Sequence, residues 1–333
     1  MNQIPFLFTL TALVAAAIKA GAPLLYGTLG EILTEKSGSL NLGVEGMMYM
    51  GAIAGFALGY YTDSIVLTFL GAMAAGAFGA LIYSFLTVTL KSDQNVTGLT
   101  LTIFGTGLCN MIGALINNGA KEKGTIAVLS KKIMASFSGF DRALTVPADG
   151  NIPAEVYVDK LLNGVNPLVI AAVAAAIVMA FFLNRTRTGL NLRAVGENPA
   201  TADAMGISVS KYRYLASCAG GALIGLGGLY IIMSVGGKWE YDIVNGQGWL
   251  AVALVIFSTW SPKKAIGGSF LFGALLRLYL HFKLKSLPGA YEAFLVMLPY
   301  VVTVLVLVFT SMRQSREHAQ PKSCGFNYFR EER

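Results

Sequence analysis

The chain has 333 residues, of which 55% are apolar and only 13% charged, and its mean hydropathy is +0.61. Soluble domains carry about 25% charged residues, so half of the usual solvating surface is missing and a single soluble domain is excluded. The net charge of +7 does not point to nucleic acid, because the basic residues lie between apolar stretches and in the C-terminal tail, not along one aromatic-studded stripe.

About 20 apolar helical residues cross a bilayer core. Nine segments are candidates: 7–30, 40–61, 64–90, 95–118, 166–184, 212–235, 247–260, 265–282 and 291–311, of which the seventh and eighth are short. The expected fold class is an all-α integral membrane protein, a polytopic bundle of about nine transmembrane helices. The N-terminal MNQIPFLFTLTALVAAAIK lacks a basic n-region and reads as part of the first span. Glycines interrupt the second span, which is therefore a candidate for a broken or re-entrant helix. The seventh and eighth are separated only by Ser261, Pro262, Lys263 and Lys264, which suits a tight hairpin. Cys109 and Cys218 lie in apolar stretches and Cys324 in the tail, so neither a disulfide framework nor a metal spacing is present.

Basic residues in short loops set orientation. Arg185, Arg187, Arg193, Lys211 and Arg213 fall in one connection, Lys263 and Lys264 in another, and Arg313 and Arg316 follow the last span. Placing all three on the cytoplasmic side gives an outside N-terminus and an inside C-terminus. Residues 1–312 then form the membrane domain and 313–333 a cytoplasmic tail. The loop at about 119–165 is external despite Lys121, Lys123, Lys131 and Lys132, and the loop at about 185–211 is cytoplasmic. Gly51, Gly55 and Gly59, Gly221 and Gly225, and Gly268 near Gly273 read chiefly as close helix-packing faces.

The cytoplasmic stretch RTRTGLNLRAVGENPATADAMGISVSKYR, residues 185–213, carries capping signals. Asn198 is an N-cap, Pro199 fits the first helical position, Asp203 favours the positive helix end and Gly206 closes the C-terminus. A short helix over about 199–205 is predicted, roughly 10 Å long. So short a helix is not stable alone and needs something to dock on, for which a soluble partner is the economical candidate.

Polar residues at membrane depth usually face a bundle interior or a cavity. The candidates for a substrate path are Asn41, Glu45, Asn95, Thr97, Asn110, Gln247 and Trp249, with Thr100, Thr102, Asn117 and Asn245 nearby in sequence. Amides and hydroxyls suit a neutral ligand with hydroxyls and base edges, and an aromatic face suits a flat ring. Each of them also has the plainer reading of an interhelical hydrogen bond. Glu45 is expected to satisfy backbone amides at a helix break near the cytoplasmic face rather than to carry protons. Lys19 and Arg277 are expected to snorkel or to meet water near span ends, and Trp239, Tyr241 and Trp249 fit an outer aromatic belt as easily as a substrate platform.

RAVGENPATADAMGIS resembles the coupling-helix loop of bacterial ABC importer permeases of the ribose/nucleoside/branched-chain amino acid type. GEILTEKSGSLNLGVEGMMYMGAIAGF (30–56) and GQGWLAVALVIFSTWSPKKAIGGSFLFG (246–273) are similar to the early and late signatures of the nucleoside and simple-sugar branch. The late stretch departs from that branch at Ser258 and Thr259, where Gly is usual before Trp260, and at Gln247, where a basic residue is common. The resemblance implies that residues 194–206 insert into a separate ATPase subunit, with Glu197, Asn198, Pro199, Ala202 and Gly206 as the coupling residues. It further implies an extracytoplasmic substrate-binding protein or lipoprotein and a second permease subunit, a paralogue in preference to an identical copy. No GxxxxGK[ST] phosphate loop is present, so no cofactor is expected on this chain; ATP would be bound and hydrolysed by the partner, and the chain itself is not an enzyme. The alternative is a secondary transporter working without an ATPase and coupled to ions through Glu45; a purely structural membrane protein is the third reading.

Overall fold

The computed structural model describes residues 6–138, 153–281, 297–298, 300–305, 308 and 320–332. The described residues are built from helices, joined by turns and one isolated antiparallel bridge between Val128 and Lys238. The long elements are α1 (Phe6–Lys36), α2 (Val44–Thr62), α3 (Ile65–Ser84), α4 (Gln94–Glu122), α7 (Pro167–Arg185), α10 (Val209–Ser234) and α12 (Pro262–His281). Shorter ones are α5 (Lys131–Ser138), α6 (Ala154–Leu162), α8 (Arg187–Glu197), α9 (Pro199–Ala204) and α11 (Gln247–Phe257).

Five helical stretches are long and apolar enough to cross a membrane: Leu7–Lys36, Ile65–Thr89, Gln94–Glu122, Pro167–Arg185 and Val209–Ser234. The chain is thus a multi-pass membrane protein. α2 and α12 have spanning length, 19 and 20 residues, but more polar composition, with Glu45 on one and Lys263, Lys264 and Arg277 on the other. The seventh expected span is short, as its sequence indicates: α11 has 11 residues, about 16 Å against a hydrocarbon core of about 30 Å. Of the ninth, the described residues 297–298, 300–305 and 308 are helical, and the rest lies outside the described residues.

The second span is a correction of another kind. α2 is one unbroken helix, and its glycines serve packing. A Cβ on Gly51 would sit 2.3 Å from Gly225 Cα, and one on Gly228 would sit 1.9 Å from the Met48 carbonyl oxygen, so the α2 and α10 backbones are in contact. Without a hydrophobic drive between helices in lipid, such close approach is how dispersion is gathered. α10 is accordingly the central helix, enclosed by α1, α2 and α3 and buried on most of its surface. α3, α4 and α7 each leave one apolar face open, marked by Val66, Leu70 and Phe78, by Ile103, Phe104 and Leu115, and by Ile177, Val178 and Phe181.

α1 runs 31 residues, about 46 Å, longer than the hydrocarbon core. Its last turns carry Glu31, Glu35 and Lys36 to the end of the bundle where α8 and α9 lie. The expected hairpin between the seventh and eighth spans is present as a turn over residues 258–261, in which both Thr259 (φ 51°) and Trp260 (φ 52°) are left-handed.

Candidate functional site

Two regions gather the polar residues. The first is the α8–α9 end of the bundle. α8 begins at Thr186, whose Oγ1 accepts the Gly189 N–H at 3.0 Å, and it buries Gly189, Leu192, Val195 and Gly196. Sequence reading had left this helix unassigned, although the three-residue recurrence of Gly189, Leu192 and Val195 is a legible helical period. α9 follows where the capping signals put it. Asn198 Oδ1 accepts the Thr201 N–H at 3.0 Å, and Pro199 occupies the first helical position. Past its end, Gly206 has φ 80°, its N–H bonds the Asp203 carbonyl at 2.9 Å and the Ile207 N–H bonds the Ala202 carbonyl at 3.0 Å. That pair of bonds is the Schellman closure, which requires a residue without a Cβ penalty at the left-handed position.

Of the five coupling candidates, Glu197, Asn198 and Gly206 are exposed, Pro199 is half-buried and Ala202 is buried. Ala202 sits against Val195 and Val209, so its small side chain seats α9 on its own chain. Met205, which sequence reading passed over, stands 77% exposed beyond the tip of α9.

Beneath this end lies a buried polar cluster that sequence reading missed. Glu31 and Glu35, one helical turn apart on α1, are both buried, and so is Arg213. The Asn41 N–H donates to Glu31 Oε1 at 2.9 Å, Trp260 Nε1 donates to Glu35 Oε2, and Arg213 Nη1 donates to the Phe326 carbonyl at 3.1 Å. The signal was a first span ended too early, at residue 30, which left two carboxylates looking like loop residues.

The second region is the segment between α10 and α11. Residues 235–246 are non-helical yet run alongside α2 and α4, fastened by Trp239, Asp242 and Gly246. Asn117 Nδ2 donates to the Trp239 carbonyl at 3.2 Å, and the Trp239 ring lies near those of Tyr49 and Phe56. Tyr49 Oη donates to Asp242 Oδ1 at 2.5 Å, and the Asp242 N–H reaches Asn110 Oδ1 at 3.4 Å. Glu45 accepts the Gly246 N–H at 2.8 Å and the Gly248 N–H at 2.6 Å, one on each carboxylate oxygen. A carboxylate at a helix N-terminus satisfies orphan donors and meets the positive end of the helix dipole. Non-helical backbone at membrane depth is tolerated only when such partners exist. Glu45 therefore caps α11, as expected, and the break in the bundle falls before α11, not within the second span.

The other path candidates do not converge. Asn41 makes an Asx-type turn, its Oδ1 accepting the Gly43 N–H at 2.9 Å, and Thr97 bonds back to the Asp93 carbonyl at 2.6 Å. Asn95 and Trp249 are exposed, in separate places on the bundle. Of these candidates Gln247 alone lines a cavity of about 860 Å³ between α1, α5, α10, α11 and α12. Asn245, Ser234, Phe137, Tyr300, Lys19, Lys131 and Arg277 share its wall. The volume is that of a small-solute site, and its lining combines aromatic rings and amides with three cationic side chains.

A multi-pass helical bundle with a broken helix, a polar-lined cavity and a capped helix pair at one end is the build of a transporter permease. Residues 13–310 match the family described as branched-chain amino acid transport system / permease component, and the chain belongs to that family. It is similar to TsgC13 of Haloferax volcanii, named for a glucose ABC transporter permease, at 34% identity over 96% of this chain and 98% of that one. It is similar to the guanosine ABC transporter permease protein NupQ of Bacillus subtilis at 31% identity, covering 97% of this chain and 98% of the other. A second guanosine permease protein of the same organism, NupP, matches at 26% identity over 70% of this chain and 62% of its own length. The chain is a transporter permease component.

Proposed function

We propose that this chain is the membrane-spanning permease subunit of an ATP-driven importer of nucleosides, with simple sugars the next class. The likeness to nucleoside and sugar permeases along nearly the whole chain carries the reading. In the 860 Å³ cavity, Asn245 and Gln247 offer amides and Phe137 and Tyr300 offer rings to a flat, hydroxylated solute, beside the cationic Lys19, Lys131 and Arg277. We assign Asn245, Gln247 and Tyr300 to the solute path in preference to Asn41, Asn95, Thr97 and Trp249.

In this reading the protein lies in the cell membrane with about nine spans, the N-terminus outside and the α9 end in the cytoplasm. A separate ATPase subunit binds and hydrolyses ATP and seats α9 through its exposed positions, Glu197, Asn198, Met205 and Gly206. Closure of the ATPases tilts α9, and the buried contacts of Ala202 with Val195 and Val209 pass that movement to α10. An external binding protein delivers solute to the 119–165 side, and a second permease subunit completes the pathway. That subunit is a paralogue: two different guanosine permease proteins of one organism both resemble this chain, and of those two NupQ matches along nearly its full length while NupP matches over 62% of its own.

The test is uptake of radiolabelled guanosine by vesicles holding the permease pair, with and without the ATPase subunit. Uptake only with the ATPase and ATP is expected. Uptake by the permeases alone, driven by an ion gradient, would refute it.

A further inference from the structure

The described end of the C-terminal tail is built into the α8–α9 end of the bundle. The Ser323 N–H and Oγ both donate to the Gly196 carbonyl, at 3.0 and 2.6 Å, which ties the tail to the last turn of α8. Asn327 Nδ2 donates to the Lys91 and Ser92 carbonyls at 2.6 and 3.0 Å, tying it to the turn before α4. Tyr328 Oη donates to Asp203 Oδ2 at 2.9 Å, and Arg330 Nε lies 3.2 Å from the same oxygen, so the tail holds α9 itself.

The tail also makes a surface. A groove of about 500 Å³ runs beside α9, with Asp203, Gly206 and Val209 on one wall and Tyr328, Phe329 and Arg330 on the other. Phe329 (43% exposed) lines the groove, and two further apolar side chains stand exposed at this end, Met205 beyond α9 and Phe326 (69%) on the tail. Large exposed apolar groups around a groove mark a protein contact, and aromatic side chains anchor such contacts.

We propose that the tail segment 320–332 is part of the ATPase-docking surface, so that the ATPase meets a composite of α9 and the tail, with Tyr328 and Arg330 fixing the pose of α9. This rests on the reading that the α9 end receives an ATPase. The occupant follows from continuity: the groove shares Asp203 and Gly206 with α9, and a protein seated on α9 covers Phe329.

The experiment uses the permease pair in lipid nanodiscs and the purified ATPase subunit. Phe326→Ala combined with Phe329→Ala is expected to weaken ATPase binding at least tenfold with an unchanged melting temperature. Tyr328→Phe with Arg330→Gln is expected to weaken binding and to speed hydrogen exchange at the Thr201 amide. In the otherwise unaltered chain, a photo-crosslinking residue at position 329 is expected to capture the ATPase. If Met205→Glu weakens binding while the tail variants bind within twofold of the parent and position 329 captures only this chain, the tail proposal fails and the α9 reading stands. If Met205→Glu is silent as well, the ATPase reading fails first.

Discussion

Replacing Glu45 tests the cap on the broken helix. In Glu45→Ala the N–H groups of Gly246 and Gly248 both lose their acceptor. Gly248 is buried and Gly246 half-buried, so the Gly248 N–H is the costlier of the two to leave unpaired. A buried donor left unpaired costs about 1–3 kcal/mol, which applies to Gly248, and the half-buried Gly246 donor adds less because solvent can reach it. Loss of the anion from the helix N-terminus adds up to about 1 kcal/mol. Glu45→Gln keeps one acceptor oxygen and turns an NH2 toward the other donor, so it should lose about half as much. The assay is thermal melting of the detergent-solubilised protein by fluorescence-detected size exclusion, with Glu240→Ala, at an exposed acidic residue, as control. The expected order of melting temperature is parent and control together, then Gln, then Ala. If Glu45→Ala melts with the parent, the carboxylate is not holding α11. If it does so while uptake loses its dependence on an ion gradient, Glu45 has the coupling role instead.

Three further outcomes follow from the same geometry. Thr259 is β-branched and left-handed at φ 51°, a conformation that costs a non-glycine residue of order 1–2 kcal/mol. Thr259→Gly should therefore raise the melting temperature despite losing the exposed bond from Lys264 Nζ; a lowered value would refute the strain argument. Gly228→Ala forces a Cβ to 1.9 Å from the Met48 carbonyl and should lower the folded yield sharply, whereas Gly119→Ala, which meets nothing within 4 Å, should be neutral; equal yields would refute the packing. Cys324 is pushed well above its usual 9.0, first by burial and then by the charge of Glu35, so its thiol stays protonated at neutral pH. A raised folded value stabilises the docked tail below the unfolded thiol value and loses that contribution as pH climbs past it. Maleimide labelling of Cys324 should be negligible at pH 7 and tail exchange should quicken above about pH 9; fast labelling at pH 7 would show the tail undocked.

The family, the membrane class and the α9 helix were legible in residue order because each rests on local chemistry. Apolar runs of spanning length need no partner to be recognised, and Asn198, Pro199 and Gly206 cap α9 through bonds to residues within four positions. Similarly, Gly51 and Gly225 announced close packing by spacing alone, though not that they would meet each other.

Contacts across long separations decided the rest. Nothing in the sequence near Glu45 says that Gly246 and Gly248, about 200 residues on, supply its donors, so the broken helix was expected in α2 and found before α11. The path residues scattered for the same reason. An Asn in a span looks the same whether it closes its own turn, as Asn41 does, holds a distant backbone, as Asn110 does, or borders a cavity, as Asn245 does. Burial of Glu31, Glu35 and Arg213 likewise depends on where α1, the α11–α12 turn and the tail come together. Local bonding fixes which residues form and end a helix; which polar group meets which is set by the packing of whole helices, and only the folded chain contains that information.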